Sequence, residues 1–242
     1  ANMGFLGHLE ELRWRLLKSA LTVVVLSIAA FYFSDRIITF IKVPLGDVQL
    51  YNIQVTGSFY AYLKVSLITG IMASLPIVFY QMWSFISPGL YKKEKRFAFP
   101  LFATSVVLFF VGMAFAYFVV FPLIFGFVSA FTPDTVNYQP DMTEYVSFVM
   151  MVVLVFGLAF ETPIATVLLV LTGLTTTEKL GKARPYVFLG AFIIGMLLTP
   201  PDVISQTMLA VPVYLLFEMG ILMSRIVRRS GNDVAEDESN SV

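Results

Sequence analysis

The stretch YVSFVMMVVLVFGLAFETPIATVLLVLTGLTTT, residues 145–177, decides how the chain is organised. Its one ionisable residue, Glu161, has 16 uncharged residues before it, back to Tyr145, and 16 after it, out to Thr177. A run of that length suits a helix crossing about 30 Å of hydrocarbon. An ionisable group near the middle of such a helix costs about 2.5–3.5 kcal/mol on insertion scales, and groups retained there face protein or water. Pro163 supplies no N–H to the carbonyl of Ala159, so a disturbance of the helix is expected at this point. Phe160-Glu161-Thr162-Pro163 therefore reads as a functional intramembrane carboxyl. The plainer alternative is a neutral, hydrogen-bonded packing residue.

Working outward, the whole chain has the same character. Of 242 residues, 58% are hydrophobic and only 13% are charged. That charged share is about half that of a soluble domain. A mean hydropathy of +0.83 completes the signature of a polytopic, all-α membrane protein. Formal net charge is zero, and no nucleic-acid partner is expected. There is no cysteine, which removes disulfides, thiol catalysis and thiolate metal sites. The single histidine, His8, cannot build a His-based metal centre, so no metal or cofactor is expected. Nor can it supply the H-E-x-x-H of a zinc protease or a Ser-His pair at membrane depth. Glu161 lacks an evident second acid for a carboxyl dyad. No phosphate-cradling glycine loop is present. The chain is not expected to be an enzyme.

In chain order, Phe5 to Leu16 reads as a short amphipathic helix lying in the interface, with Glu11 and Arg15 as an i,i+4 pair. The first span follows, about Leu17 to Phe33. A mixed loop with Pro44, Gly46 and Gly57 is expected to hold short interfacial helices before the second span, Val65 to Ile86. Nothing is charged from Phe97 to Pro133, and Pro122 is expected to bend or end that third helix. Residues 145–171 are the fourth span. Thr175-Thr176-Thr177-Glu178 offers capping residues for a short helix. The last two uncharged runs, 185–201 and 203–217, are only 17 and 15 residues long. A full crossing takes about 20 residues, so a short helical hairpin is expected, with its tip at Thr199-Pro200-Pro201-Asp202. Residues 1–229 thus form one six-span domain, and 230–242, rich in Ser, Asn, Asp and Glu, reads as a disordered tail.

Lysine and arginine placement sets the orientation. Of the 16 such residues, only Arg36, Lys42 and Lys64 fall on one side of the six spans. Both termini are therefore expected in the cytoplasm. On that face Glu11 lies among Arg13, Arg15 and Lys18, and Glu94 among Lys92, Lys93, Lys95 and Arg96. These acids balance their neighbours' charge. They are also suited to a cationic partner, because a planar guanidinium pairs bidentately with a carboxylate.

His8-Leu9-Glu10-Glu11-Leu12-Arg13-Trp14-Arg15-Leu16 resembles the opening signature of the TatC family, the multi-spanning core of the twin-arginine protein translocase. The resemblance continues through Pro76 with Tyr80-Gln81-Met82-Trp83, and through Phe85-Ile86-Ser87-Pro88-Gly89-Leu90-Tyr91-Lys92-Lys93-Glu94. It extends to Gly112-Met113-Ala114-Phe115-Ala116-Tyr117-Phe118, Phe160-Glu161-Thr162-Pro163, Arg184-Pro185-Tyr186 and Leu198-Thr199-Pro200-Pro201-Asp202. It covers nearly the whole chain in order.

The resemblance implies a cup-shaped six-helix protein of the bacterial inner membrane. It implies a receptor for the twin-arginine signal peptides of folded cargo, with transport drawing on the proton-motive force. Glu11 and Glu94 match acids that help bind the twin-arginine motif, and Arg13, Pro44 and Phe85 match positions linked to that function. Glu161 matches an intramembrane glutamate on the concave wall, and Asp202 the acid at the outer tip. Thr199 and Gln206 match polar positions where single-span TatA/TatB-type subunits pack. Self-association within a larger complex is also implied. The rival reading is a proton-coupled small-solute transporter with Glu161 as relay, although no internal repeat of the kind common in transporters is visible.

Overall fold

The structure is a computed structural model that describes residues 5–46, 48–86, 95–133, 139–198 and 203–240. Among these residues the secondary structure is helical, apart from one isolated parallel bridge between Tyr51 and Asp141. In lipid no water is available to backbone groups, and a helix satisfies them within one segment. Among the described residues, five helices are long and apolar enough to cross a membrane, and one apolar helix, Arg184–Leu198, is shorter. The chain groups into two compact units, residues 1–155 and 156–242.

In the first unit, α1 runs unbroken over Phe5–Tyr32. The sequence reading separates an interfacial helix, 5–16, from the span. The structure joins them because no glycine or proline stands from His8 to Tyr32, and a nucleated helix gains one bond per residue it extends. Helix α3, Gly57–Ile86, lies antiparallel along α1, since Ser27 meets Gly70 while Arg15 reaches Gln81. Ser66, Gly70 and Ser74 recur every fourth residue on α3, and all three are buried. A Cβ on Gly70 would stand 2.5 Å from the backbone N and Cα of Ser27. Small residues at this spacing let two backbones touch, which is how helices associate where hydrophobicity gives no preference for partner over lipid.

Between α1 and α3 lie α2, Ser34–Lys42, and a 3-10 turn, Val43–Leu45. The Val43 N–H caps Phe40 O, and the carbonyls ending α2 have accepting capacity left for side-chain donors. Tyr117 donates its hydroxyl to Phe40 O at 2.9 Å, and Tyr145 donates to Ile41 O at 2.6 Å. The expectation of a short helix in this loop is met, with tyrosines from later helices holding it in place.

Helix α4, Lys95–Phe115, passes through a π turn, Ala116–Val120, into α5, Phe121–Phe131. Pro122 neither ends the helix nor stands in a regular one. The wider turn, in which the Phe121 N–H bonds Ala116 O, absorbs the ring and the missing donor. Helix α6, Met142–Ala159, opens on Asp141, whose Oδ1 accepts the N–H groups of Thr143 (2.8 Å) and Glu144 (3.1 Å). Its Oδ2 accepts the Ile53 N–H at 3.0 Å, tying the preceding loop to α6. These bonds, the one from Ile53 foremost, hold the Asp141 carboxyl below its ordinary pKa.

The second unit takes up the end of α6, then α7, Thr162–Leu171, and α8, Thr177–Lys182. It continues with α9, Arg184–Leu198, and α10, Val203–Asn240. Thr176 caps α8 by accepting the Lys179 N–H at 3.3 Å, as its sequence suggests. Helix α9 has 15 residues and is short as expected. Helix α10 is not short: its apolar part runs over Val203–Ile226, through the charge that seemed to close it. Glu218 is met there by Arg184 Nη2 at 2.7 Å and by the Tyr214 hydroxyl at 2.9 Å, so the carboxylate does not force the helix to end. The helix continues to Asn240.

Candidate functional site

Helix periodicity places Glu11 and Arg15 on one stripe of α1. Arg15 Nε donates to Glu11 Oε1 at 2.9 Å, and Nη2 donates to the same oxygen. Arg15 Nη1 donates to Gln81 Oε1 at 3.2 Å and lies 3.5 Å from Gln81 O, while Nη2 lies 3.5 Å from Ser84 O. The cation thus meets the last turns of α3, where carbonyls lack helical partners and the helix dipole is negative. One guanidinium therefore fixes the Glu11 carboxylate against the end of α3. Both side chains keep about a fifth of their surface accessible, 21% for Arg15 and 22% for Glu11. The Glu11 carboxylate is thus partly desolvated and held in one orientation.

The other residues predicted for this site divide into four cases. Phe85 follows Ser84 on α3, at the same end as Glu11, and is half-buried. Arg13 is exposed, and two positions from Glu11 on a helix it leaves the Glu11–Arg15 stripe. Pro44 is not brought to Glu11. It sits in the 3-10 turn packed on α5, beyond an α2 that Asp35 ties to Tyr62 near the start of α3. Glu11 lies at the other end of α1, 21 residues before Tyr32, or roughly 30 Å along the axis. Glu94 lies outside the described residues.

In the second unit, Glu161 stands in the turn between α6 and α7 and is half-buried. The Phe160 N–H still reaches Phe156 O at 3.0 Å, but the Glu161 N–H pairs with Leu158 O, a tighter step, also at 3.0 Å. Glu161 O then accepts the Ala165 N–H at 2.9 Å and starts α7, with Pro163 in its first turn. The disturbance expected from Pro163 is real, and Glu161 sits on it. The next turn packs on α10, where a Cβ on Gly220 would stand 2.9 Å from Pro163 Cα and 2.1 Å from Thr166 Oγ1.

Gln206 is half-buried and donates Nε2 to Phe192 O at 2.8 Å, against Gly195. Its amide joins α10 to α9. Thr199 and Asp202 lie outside the described residues. At the other end of this hairpin stands the ion pair Arg184–Glu218, with Tyr214. Sequence reasoning missed that cluster, because Arg184 and Glu218 are 34 residues apart and each reads as a span end. Arg184 within the Arg184-Pro185-Tyr186 motif was the only available signal.

A family model described as Sec-independent protein translocase protein (TatC) matches residues 7–212. The chain is similar to the Sec-independent protein translocase protein TatC of Azotobacter chroococcum mcd 1, 44% identical over 241 residues that cover 98% of this chain and 94% of that one. It is similar to the protein of the same name from Escherichia coli strain K12, 45% identical over 235 residues, covering 95% and 91%. A crystal structure of the twin arginine translocase receptor TatC matches with a TM-score of 0.84 at 36% identity, covering 90% of this chain and 98% of that chain. A second one, in DDM, matches with a TM-score of 0.83 at 37% identity, covering 90% and 99%.

Proposed function

Because this chain belongs to the TatC family and is a core subunit of the twin-arginine translocase, we propose that it binds the twin-arginine signal peptide at Glu11 and Glu94. The observation that supports this is the Glu11 carboxylate, oriented by Arg15 at the end of α3. The segment that leaves α3 there leads to Glu94. The surrounding lysines and arginines repel cations diffusely, whereas a carboxylate accepts a guanidinium in paired, bidentate geometry. Phe85 and Arg13 flank this surface, whereas Pro44 acts from the distant end of α1.

On this reading the five long helices and α9 make six passes. Both termini lie on the lysine- and arginine-rich cytoplasmic side of the bacterial inner membrane. The subunit self-associates and recruits single-span TatA/TatB-type subunits near Thr199 and Gln206, and Asp202 marks the outer tip. Glu161 lines the surface that receives an inserted helix, and the proton-motive force drives transport. A small-solute transporter with Glu161 as relay finds no support among the relatives, which are translocase proteins.

Recognition is tested by converting Glu11→Gln and Glu94→Gln together. Hydrogen bonds to charged groups contribute about 1.5–3 kcal/mol each, so affinity for a twin-arginine peptide should fall tenfold or more. Unchanged affinity of the solubilised double variant would remove both residues from the site.

A further inference from the structure

Glu11 already holds an arginine of its own chain. Arg15 Nε and Nη2 both donate to Glu11 Oε1, the first at 2.9 Å. A peptide guanidinium would take the same kind of grip on that carboxylate. Ligand and Arg15 therefore compete for one oxygen. A carboxylate that is already paired also attracts a further cation less than an unpaired one does.

The Arg15 guanidinium has a second seat that does not involve Glu11. Its Nη1 donates to Gln81 Oε1 at 3.2 Å. Gln81 O lies 3.5 Å from Nη1, and Ser84 O lies 3.5 Å from Nη2. These acceptors all belong to the last turns of α3, the end at which a helix dipole favours a cation. They stay in place when Glu11 changes partner. Arg15 is thus poised between an acid on its own helix and a set of oxygens on the neighbouring one. Neither side chain is sealed: Arg15 keeps 21% of its surface accessible and Glu11 22%, so a group arriving from solvent reaches the pair.

Resting on the reading that Glu11 receives the twin-arginine peptide, we propose that Arg15 is a placeholder for the ligand. It holds Glu11 until a peptide arrives, then gives up the carboxylate and moves wholly onto its seat at the end of α3. The contact is autoinhibitory. If Arg15 covers Glu11 in about nine molecules in ten, the apparent affinity for peptide is about tenfold below the intrinsic one. A penalty common to all ligands leaves their ranking unchanged, and it moves the weakly bound ones out of the working range. An Arg15 that served only to orient Glu11 has the opposite consequence, because loosening it weakens binding.

The test is the affinity of the full, solubilised chain for a fluorescent twin-arginine peptide, read by anisotropy. Arg15→Lys keeps the charge and loses the two-donor grip on one oxygen, so the peptide should bind about threefold tighter. A purely electrostatic role for Arg15 leaves the affinity of that variant unchanged. Gln81→Met removes an acceptor from the second seat and adds no charge, so the peptide should bind about threefold weaker. Glu11→Gln should weaken binding, and in that background Arg15→Lys should no longer tighten it. Weaker or unchanged binding by Arg15→Lys, with Glu11→Gln still weakened, would overturn the placeholder and leave the peptide site standing. Unchanged binding by Glu11→Gln would overturn both.

Discussion

Glu161 and Gly220 show how single residues act where the solvent is lipid. Glu161 starts α7 with its carbonyl, at a turn made necessary by Pro163. Glu161→Gln keeps the size and hydrogen bonding of the side chain, so export of a twin-arginine reporter should be largely retained. Glu161→Ala loses both and should export far less at matched expression. Equal, complete inactivity of the two would instead demand an ionisable group at this position. Gly220 is a matter of space. A methyl group there meets Thr166 Oγ1 at 2.1 Å and Pro163 Cα at 2.9 Å, and the second of these is backbone that cannot turn aside. Gly220→Ala should therefore destabilise the purified protein by about 1–3 kcal/mol, read as a lower unfolding temperature. Gly126→Ala, with nothing within 4 Å, should unfold with the wild type or slightly later. Like behaviour of the two variants would contradict the close crossing of α7 and α10.

At the scale of elements, helices here are joined by a few polar bonds laid over apolar contact. Helices α9 and α10 are tied at one end by Gln206 to Phe192 O and at the other by Arg184 to Glu218. The Arg184 side chain is 43% exposed and that of Glu218 23%, so solvent screening limits what the pair contributes. Losing one partner alone leaves the other charge partly desolvated beside apolar neighbours. Glu218→Leu and Arg184→Met should each cost about 1–2 kcal/mol, less than breaking a fully buried pair. The double variant Arg184→Met with Glu218→Leu should recover most of that loss, which a double-mutant cycle in detergent measures. Simple additivity of the two losses would show that the residues do not act as a pair. The local devices of this kind were readable in advance: Thr176 caps α8, and Glu11 pairs with Arg15 one turn away. Pairings across helices were not, because Arg184 and Glu218 each carried an adequate local explanation.

For the whole molecule, length against membrane thickness is the governing quantity. Helix α9 has 15 residues, about 22 Å, and cannot cover a hydrocarbon layer of about 30 Å. A cysteine at position 202 should accordingly react more slowly with an impermeant outer reagent than one at 134, and equal rates would argue for two ordinary crossings. The sequence alone determined that the chain is helical and membrane-embedded, where its apolar helices lie, and the break at Glu161. Lipid leaves the backbone no partner but itself, so a long apolar run dictates a helix whatever surrounds it. Tertiary structure decided which faces meet: Ser27 against Gly70, Pro163 and Thr166 against Gly220, Tyr117 and Tyr145 on the end of α2. It also decided that α10 continues past Glu218, and that Pro44 stands far from Glu11. The reason is that lipid-facing and protein-facing sides of these helices are both apolar. Hydropathy then carries no record of the partner, and only close packing and a few cross-helix hydrogen bonds select it.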